Sequence, residues 1–467
     1  MSRNLWLNIS IAAALILIAA FAGQLHKWSK NRPARTASDT SRPLDAASDG
    51  DEDEAGSLRT EILVRFKPGI TRQAIETITT RMNDDVEDRI EAVEGLSVIE
   101  DEDNRSADEV VAQYRMLAEV EYAEPNIEIK LDHEGAGNHV HANDELFYKQ
   151  WGLFNHGQDG GKSGADISAM QAWATTKGSG EVVVALLDSG VDYTHPDLAR
   201  NIWRRPGIII AYQDEDLTPD GPIDDVNGLN LLEDTGDPMD DNGHGTHCAG
   251  IIGAEGGNEI GVAGVNWTVK IMPLKFMDAE GVATVRDAIE AINYVINRKR
   301  AGVNVRVISS SWGTMAKSRA LEDVIRRAGE EGILIVAAAG NASSDNDAKP
   351  HYPGSYDLNN VISVAALNRN DELTTFSNFG ATSVDIAAPG QQIVSTWLEH
   401  GYQEKQGTSM ATPFVSGVAA LILAANPAIS IGELRARLLN SVDPLPSLRG
   451  KVATGGRINA AKAVAAN

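Results

Sequence analysis

The sequence predicts an α/β protein organised on a mainly parallel sheet, with a small α+β unit ahead of it. From Trp151 onward, short continuous apolar runs alternate with segments of helical spacing. Strands buried on both faces and separated by helices imply a parallel sheet covered on each side. Before that, between residues 58 and 131, strand and helix patterns alternate over a much shorter stretch. No internal repeat is present.

The 467-residue length leaves room for two or three folded units. A formal net charge of −25 argues against a nucleic-acid surface and leaves many carboxylates for hard cations such as calcium. Cys248 is the single cysteine, so no intrachain disulfide can form.

Residues 1–30 hold Arg3 and an almost continuous apolar stretch from Leu5 to Gly23. Ala20-Phe21-Ala22 has the small-x-small form of a signal-peptide cleavage site. Yet the stretch is close to bilayer-spanning length, and Lys27, Lys30, Arg32 and Arg35 follow it like a membrane flank. A signal peptide and a signal anchor both fit, and either implies export. Residues 31–57, ending in Asp49-Gly50-Asp51-Glu52-Asp53-Glu54, have almost nothing to bury and read as a disordered acidic linker.

In residues 58–131, strands are expected at Ile62–Phe66 and Leu96–Ile99, and helices at Thr71–Met82 and Ala107–Leu117. Val120–Asn126 then leads into Ile127–Leu131. No set of residues here suggests chemistry, so a chaperone or inhibitor segment is expected. Residues 132–143 are small and polar, an exposed linker open to processing.

The large domain is expected to span residues 144–467. Its strands are read at Val182–Leu187, Val305–Ser309, Ile333–Ala338, Val361–Ala365 and Val384–Ala387, with helices at Thr284–Arg298 and Ala320–Glu330. Functional groups in such sheets gather at the carboxyl ends of strands. Asp188 follows one such run directly, although a turn-forming Asp would look the same. Asp241-Asn242-Gly243-His244-Gly245-Thr246-His247-Cys248 precedes a small apolar helix. His244 and His247 could be a metal pair, but no HExxH spacing or cysteine partner supports zinc. Ala339-Gly340-Asn341 ends another strand, where an amide can donate to an oxyanion or simply make a turn. Ser311-Trp312-Gly313 ends a third, and the bare Gly313 backbone would let an extended peptide add as a strand.

Gly407-Thr408-Ser409-Met410-Ala411-Thr412-Pro413 opens the apolar helix Phe414–Ala425, which Asn426-Pro427 ends. Ser409 thus sits at a helix mouth, where unpaired N–H groups favour negative charge. A plain helix cap is the alternative. An acid, a His and a Ser, each at the end of an element, fit nucleophilic catalysis.

Together these residues resemble the subtilisin-like serine proteases, peptidase family S8. Asp188-Ser189-Gly190, His244-Gly245-Thr246-His247, Ala339-Gly340-Asn341 and Gly407 to Pro413 occur in that family's order, over about residues 144–465. The resemblance implies a three-layer subtilisin-like fold with a mainly parallel central sheet, preceded by a small α+β ferredoxin-like inhibitory propeptide domain. Cys248 is similar to a cysteine of the proteinase K branch. The missing disulfide cysteines and the longer acidic loop before His244 depart from that branch.

By that resemblance the chain is an exported serine endopeptidase, made as an autoprocessed precursor and expected to act as a monomer on proteins or peptides. Asp188, His244 and Ser409 would form the triad, and Asn341 with the Ser409 N–H would form the oxyanion hole. Ser311, Trp312 and Gly313 would bind the substrate backbone. Ala338, Ala339 and Gly340 would wall a roomy apolar pocket for the residue before the cut. The propeptide would be an intramolecular inhibitor. Structural calcium is implied at Asp197, Asn258 and the main-chain oxygens of Gly256, Ile260 and Val262, with Asp144 completing the set. The loop around Asn258 holds one residue more than the family pattern. Asp224, Asp225 and Asn227 suggest a second cation site.

Two rival readings are a binding protein on an inactive protease scaffold and an acid-acting relative with Glu in place of His. The intact Asp188, His244, Asn341 and Ser409 set weighs against both. Cys248, four residues after His244, is expected to be a buried, protonated thiol beneath the imidazole.

Overall fold

The computed structural model describes residues 60–90, 92–103, 105–126, 128–131, 146–213 and 221–465, with 128–131 described by backbone alone. The apolar stretch at 5–23, the linkers at 31–57 and 132–143, and Asp144 lie outside the described residues.

The first unit runs β1 (Thr60–Phe66), α1 (Arg72–Met82), β2 (Asp84–Arg89), β3 (Leu96–Asp101), α2 (Ala107–Arg115) and β4 (Val120–Pro125). Its antiparallel sheet has the order β2-β3-β1-β4, the β-α-β-β-α-β arrangement of ferredoxin-like folds. Thr71 caps α1 by accepting from Ala74 N, and Ser106 with Glu109 forms a capping box on α2. Alternation along β1 sends Ile62, Val64 and Phe66 toward Ile75, Ile78 and Tyr114 of the two helices. Leu63 joins the core on the other face. No apolar alternation marks β2, because Val86 is its one apolar residue among acids and Arg89. Its pairing with β3 makes it a strand.

After β5 (Glu128–Leu131), the second unit contains α3 (Ala169–Trp173), β6 (Gly178–Asp188), β7 (Leu229–Asn230), α4 (His244–Gly253), β8 (Thr268–Lys275), β9 (Val282–Thr284) and α5 (Val285–Arg300). It continues with β10 (Val305–Ser310), β11 (Trp312–Gly313), α6 (Arg319–Glu330), β12 (Leu334–Ala338), β13 (Val361–Leu367), β14 (Ile386–Pro389), β15 (Ile393–Trp397) and β16 (Gly401–Lys405). It closes with α7 (Thr408–Ala425), α8 (Ile431–Asn440), β17 (Val442–Pro444), β18 (Gly456–Ile458) and α9 (Ala460–Ala465).

The central sheet has the order β17-β18-β14-β13-β12-β10-β6-β8-β7. Every pairing is parallel except β17 with β18. Val182, Val184 and Leu186 of β6 face a core shared with α4 and α7, while Val183, Ala185 and Leu187 face one shared with α5 and α6. Helices therefore cover both faces, as the continuous apolar runs require. From β6 the chain builds outward first through β8 and then, on the other side, through β10. That reversal puts the carboxyl ends of β6 and β10 at a topological switch point, the place where open α/β sheets bind ligands. The helix α7 is long and apolar enough to cross a membrane, but it is 89% buried inside the protein and is a core helix.

Candidate active site

Asp188 is the last residue of β6 and fully buried. Its Oδ1 lies 2.7 Å from His244 Nδ1. A carboxylate only accepts, so Nδ1 carries the proton in this pair. Burial opposes a charged imidazole, yet the adjacent Asp188 charge holds the His244 pKa well above its ordinary value. His244 is the first residue of α4, whose cap residue Gly243 has no side chain to offer. Asp240 does that work, accepting from the N–H groups of Asn242 (3.0 Å), Gly243 (2.9 Å) and Thr246 (2.9 Å). It also accepts from Ser189 Oγ at 2.9 Å, tying the start of α4 to the turn after β6. Gly245 permits that approach, since a Cβ there would stand 2.0 Å from the Gly190 carbonyl oxygen. Sequence reasoning missed Asp240; an acid four residues before His244 was its only trace.

The metal-pair alternative for His244 and His247 is overturned. His247 Nε2 is 3.0 Å from both the Ile393 and Gln403 carbonyls, fastening α4 to the β15–β16 hairpin. Burial pushes its pKa down to about 3, so it stays neutral.

Ser409 lies inside the first turn of α7, two residues past its cap Gly407. Its Oγ donates to the Ser311 carbonyl at 3.0 Å. Pro413, four residues on, has no N–H for the Ser409 carbonyl. That oxygen accepts instead from Ser311 Oγ at 2.9 Å and from Cys248 Sγ at 3.5 Å. The Cys248 sulfur is also 4.0 Å from His244 Nδ1, and burial pushes the thiol's pKa up.

Asn341 follows β12. Its Oδ1 accepts from Thr408 N (2.9 Å) and Thr408 Oγ1 (3.1 Å), which fixes the amide against the start of α7. Its Nδ2 is buried with no hydrogen-bond acceptor among the described protein atoms. Such a donor costs free energy unless a ligand uses it.

The walls expected around the substrate converge, with Ser311, Trp312, Ala338, Ala339 and Gly340 all buried. Trp312 packs edge-on against Phe276, ring centres 5.3 Å apart. The His351 imidazole packs beside Gly313 and Gly340. A Cβ on Gly313 would lie 2.3 Å from His351 Cε1, and one on Gly340 would lie 3.1 Å from Cδ2. Beside these walls, β5 pairs antiparallel with β11 (Leu131 with Trp312, Lys130 with Gly313) and with β9 on its other edge.

Residues 179–459 match the subtilase family model, peptidase family S8. The chain belongs to the subtilase family. Residues 48–126 of this subtilase match the fervidolysin N-terminal prodomain. Thermitase of Thermoactinomyces vulgaris is 36% identical over 298 residues, covering 64% of this chain and 93% of thermitase. A thermophilic serine proteinase of Bacillus sp. (strain AK1) is 38% identical over 293 residues, 63% of this chain and 64% of that protein. Subtilisin-like protease 1 of Plasmodium berghei (strain Anka) is 33% identical over 339 residues, 69% of this chain. The subtilase spans about half, 54%, of that relative's length.

Of the expected calcium residues of this subtilase, Asn258 and Val262 contact Asp197, which is fully buried. Its carboxylate accepts from Asn258 Nδ2 (2.7 Å), Val262 N (2.9 Å) and Tyr402 OH (2.9 Å). Burial raises its pKa, and its hydrogen-bond donors are all neutral. A buried carboxylate beside an amide side chain is chemistry that suits calcium. Gly256 and Ile260 lie in the same loop, and Ile260 is exposed. The second expected cation set is not assembled in this way. Asp225 is taken by Arg205 (2.8 Å), Arg298 (3.3 Å) and Tyr294 OH (2.7 Å), and Asp224 pairs with Arg205. Two guanidiniums already neutralise the carboxylate a cation would need.

Proposed function

We propose that this subtilase is a serine endopeptidase, made as a precursor that cuts itself. The observation that carries the reading is the buried 2.7 Å bond from His244 Nδ1 to Asp188 at the switch point of the sheet. Asp188 fixes the imidazole with Nδ1 protonated, leaving Nε2 as the base. His244 takes the proton of Ser409 Oγ as that oxygen attacks the peptide carbonyl, then returns it to the leaving amine. Asp188 stabilises the imidazolium formed in between. Asn341 Nδ2 and the Ser409 N–H, in the open first turn of α7, receive the oxyanion. Ser311 to Gly313 hold the substrate backbone as a strand, the position that β5 takes in the precursor.

The domain plan follows the same reading: an inhibitory propeptide over 58–131, a processing linker over 132–143 and the peptidase from 144 onward. Residues 1–30 direct export as a signal peptide or an anchor, by the pattern of their sequence. Asp197, Asn258 and the carbonyls of Gly256, Ile260 and Val262, with Asp144, would hold structural calcium, which supplies charge compensation to the buried Asp197.

Hydrolysis of casein by wild type and its loss in Ser409→Ala tests the catalytic reading. The same variant tests self-cutting, because it accumulates as the full precursor while wild type is shortened. Equal activity, or equal size with no other protease present, refutes the corresponding part.

A further inference from the structure

We propose that Lys275 is a positioning residue for the Asp188–His244 pair, its ammonium clamping the turn that carries the acid to the turn that presents the imidazole. The inference rests on the serine-endopeptidase reading and deepens it.

Lys275 ends β8 and lies opposite Asp188 in the parallel β6–β8 ladder. Among the described residues it is the one lysine that is buried, at 5% exposure. Burying an ammonium is costly unless its hydrogens find acceptors. All three do. Lys275 Nζ donates to the Ser189 carbonyl (3.0 Å), the Met277 carbonyl (3.1 Å) and Asp241 Oδ1 (2.6 Å).

Two of these acceptors adjoin the reacting groups. Ser189 directly follows Asp188, and its N–H donates at 2.9 Å to Asp188 Oδ1, the same oxygen that meets His244 Nδ1. Ser189 Oγ accepts from the N–H of Gly245, the residue after His244, at 3.0 Å. Asp241 precedes Asn242, whose Oδ1 accepts from His244 N at 3.1 Å. Asn242 is itself held by the loop after β8, through a 2.8 Å bond from its Nδ2 to the Ala279 carbonyl. Lys275 thus acts on the pair through Ser189 and Asp241. Asp240 joins the same two turns by accepting from Ser189 Oγ and Gly243 N, which makes Lys275 the cationic half of one joint.

The charge matters as well as the bonds. A nearby cation opposes formation of an imidazolium, and a nearby carboxylate favours it. Asp188 and the Cys248 thiol face the His244 ring, and His247 stands neutral one turn along α4. Asp240 and Asp241 are the acids of the turn before it. A neutral side chain at 275 removes the cation from that set and so favours a protonated His244.

The test compares wild type, Lys275→Met and Lys275→Arg on a peptide p-nitroanilide that wild type hydrolyses, over a pH series. Titration of Ser409 with a fluorophosphonate counts competent enzyme, so misfolded protein does not distort the rates. In Lys275→Met, kcat per titrated site should fall about 10- to 100-fold, the scale on which a small misplacement costs rate, with KM little changed. The acid limb of its kcat/KM profile should move to higher pH. Lys275→Arg keeps the charge and several donors, and should return the limb to its wild-type place with part of the lost kcat. Wild-type kcat and acid limb in Lys275→Met overturn the proposal, as does a Lys275→Arg no better than Lys275→Met. Should Lys275→Met give no titratable enzyme, Asp241→Ala decides, since it opens the clamp and leaves Lys275 on its two carbonyls. A lowered kcat per site supports the clamp there, and an unchanged one overturns it. Wild type that neither takes the fluorophosphonate nor hydrolyses casein refutes the serine-endopeptidase reading itself, and the positioning role with it.

Discussion

Glu124 of the N-terminal unit caps Ala320 of the peptidase unit. Its carboxylate accepts from the N–H groups of Arg319 (2.6 Å) and Ala320 (2.7 Å), and from Ser318 Oγ, at the open end of α6. A negative group there also meets the positive end of the helix dipole. Nearby, Tyr122 OH and Arg65 both reach Asp323, at 2.8 and 2.9 Å, and Asn126 Oδ1 caps α5 through Arg286 N. Charged hydrogen bonds of this buried kind contribute about 1.5–3 kcal/mol each. Glu124→Ala in the isolated prodomain should therefore weaken inhibition of the mature enzyme by about 10- to 100-fold. An unchanged inhibition constant would show that β5 alone holds the prodomain.

The pH dependence should be alkaline. The base must be neutral to act, and Asp188 raises the His244 pKa well above 6.5. Activity is then present above that raised value and lost as pH falls through it. A kcat/KM profile whose acid limb sits below 6.5 would contradict the coupling.

Asn341→Ala should fold normally yet lose kcat with little change in KM. The expected fall is about 10²–10³, the figure known for the equivalent donor in subtilisin of this same family. Unchanged kcat would mean that the buried Nδ2 serves structure.

Cys248→Ala should keep most activity, because the thiol is buried and Ser409 is the proposed nucleophile. A mercurial should still inhibit wild type and spare the variant. Ligand atoms of Asp188, His244 and Cys248 lie within 4.8 Å of one another, so a soft metal on the sulfur would capture the imidazole. Abolished activity in Cys248→Ala with an intact fold would reopen the choice of nucleophile.

Chelation should lower the thermal midpoint of wild type, and Asp197→Asn should abolish that response. At a hundredfold excess over Kd, a single cation contributes about 2.7 kcal/mol. A midpoint indifferent to chelator would remove calcium from the Asp197 loop.

Most of the parallel sheet was legible because its strands are buried on both faces and read as unbroken apolar runs. Asp188, His244, Asn341 and Ser409 were legible because each sits where such a run or a helix begins or ends. The packing of His351 was not, since it rests on two glycines 38 and 11 residues away that converge only in three dimensions. Asp240 was hidden for a related reason: an acid in an acidic loop looks solvated until its five donors surround it. The acidic pair Asp224 and Asp225 misled in the opposite direction. Their cationic partners include Arg298, 73 residues later, which no local pattern announces.

On the proposed reading, the three-stranded layer β11-β5-β9 bears on what an enzyme freed of its prodomain would accept. When β5 departs, two strand margins face each other across a slot one chain wide, with about 4.8 Å to either side of its centre. Such a slot grips main-chain groups and is almost blind to sequence. It is strict about shape, because only a chain already drawn out for several residues can slide in. Native, tightly folded neighbours would pass untouched, while frayed, nicked or half-unfolded ones would be threaded and cut. The enzyme would then judge its substrates first by how loosely they are folded.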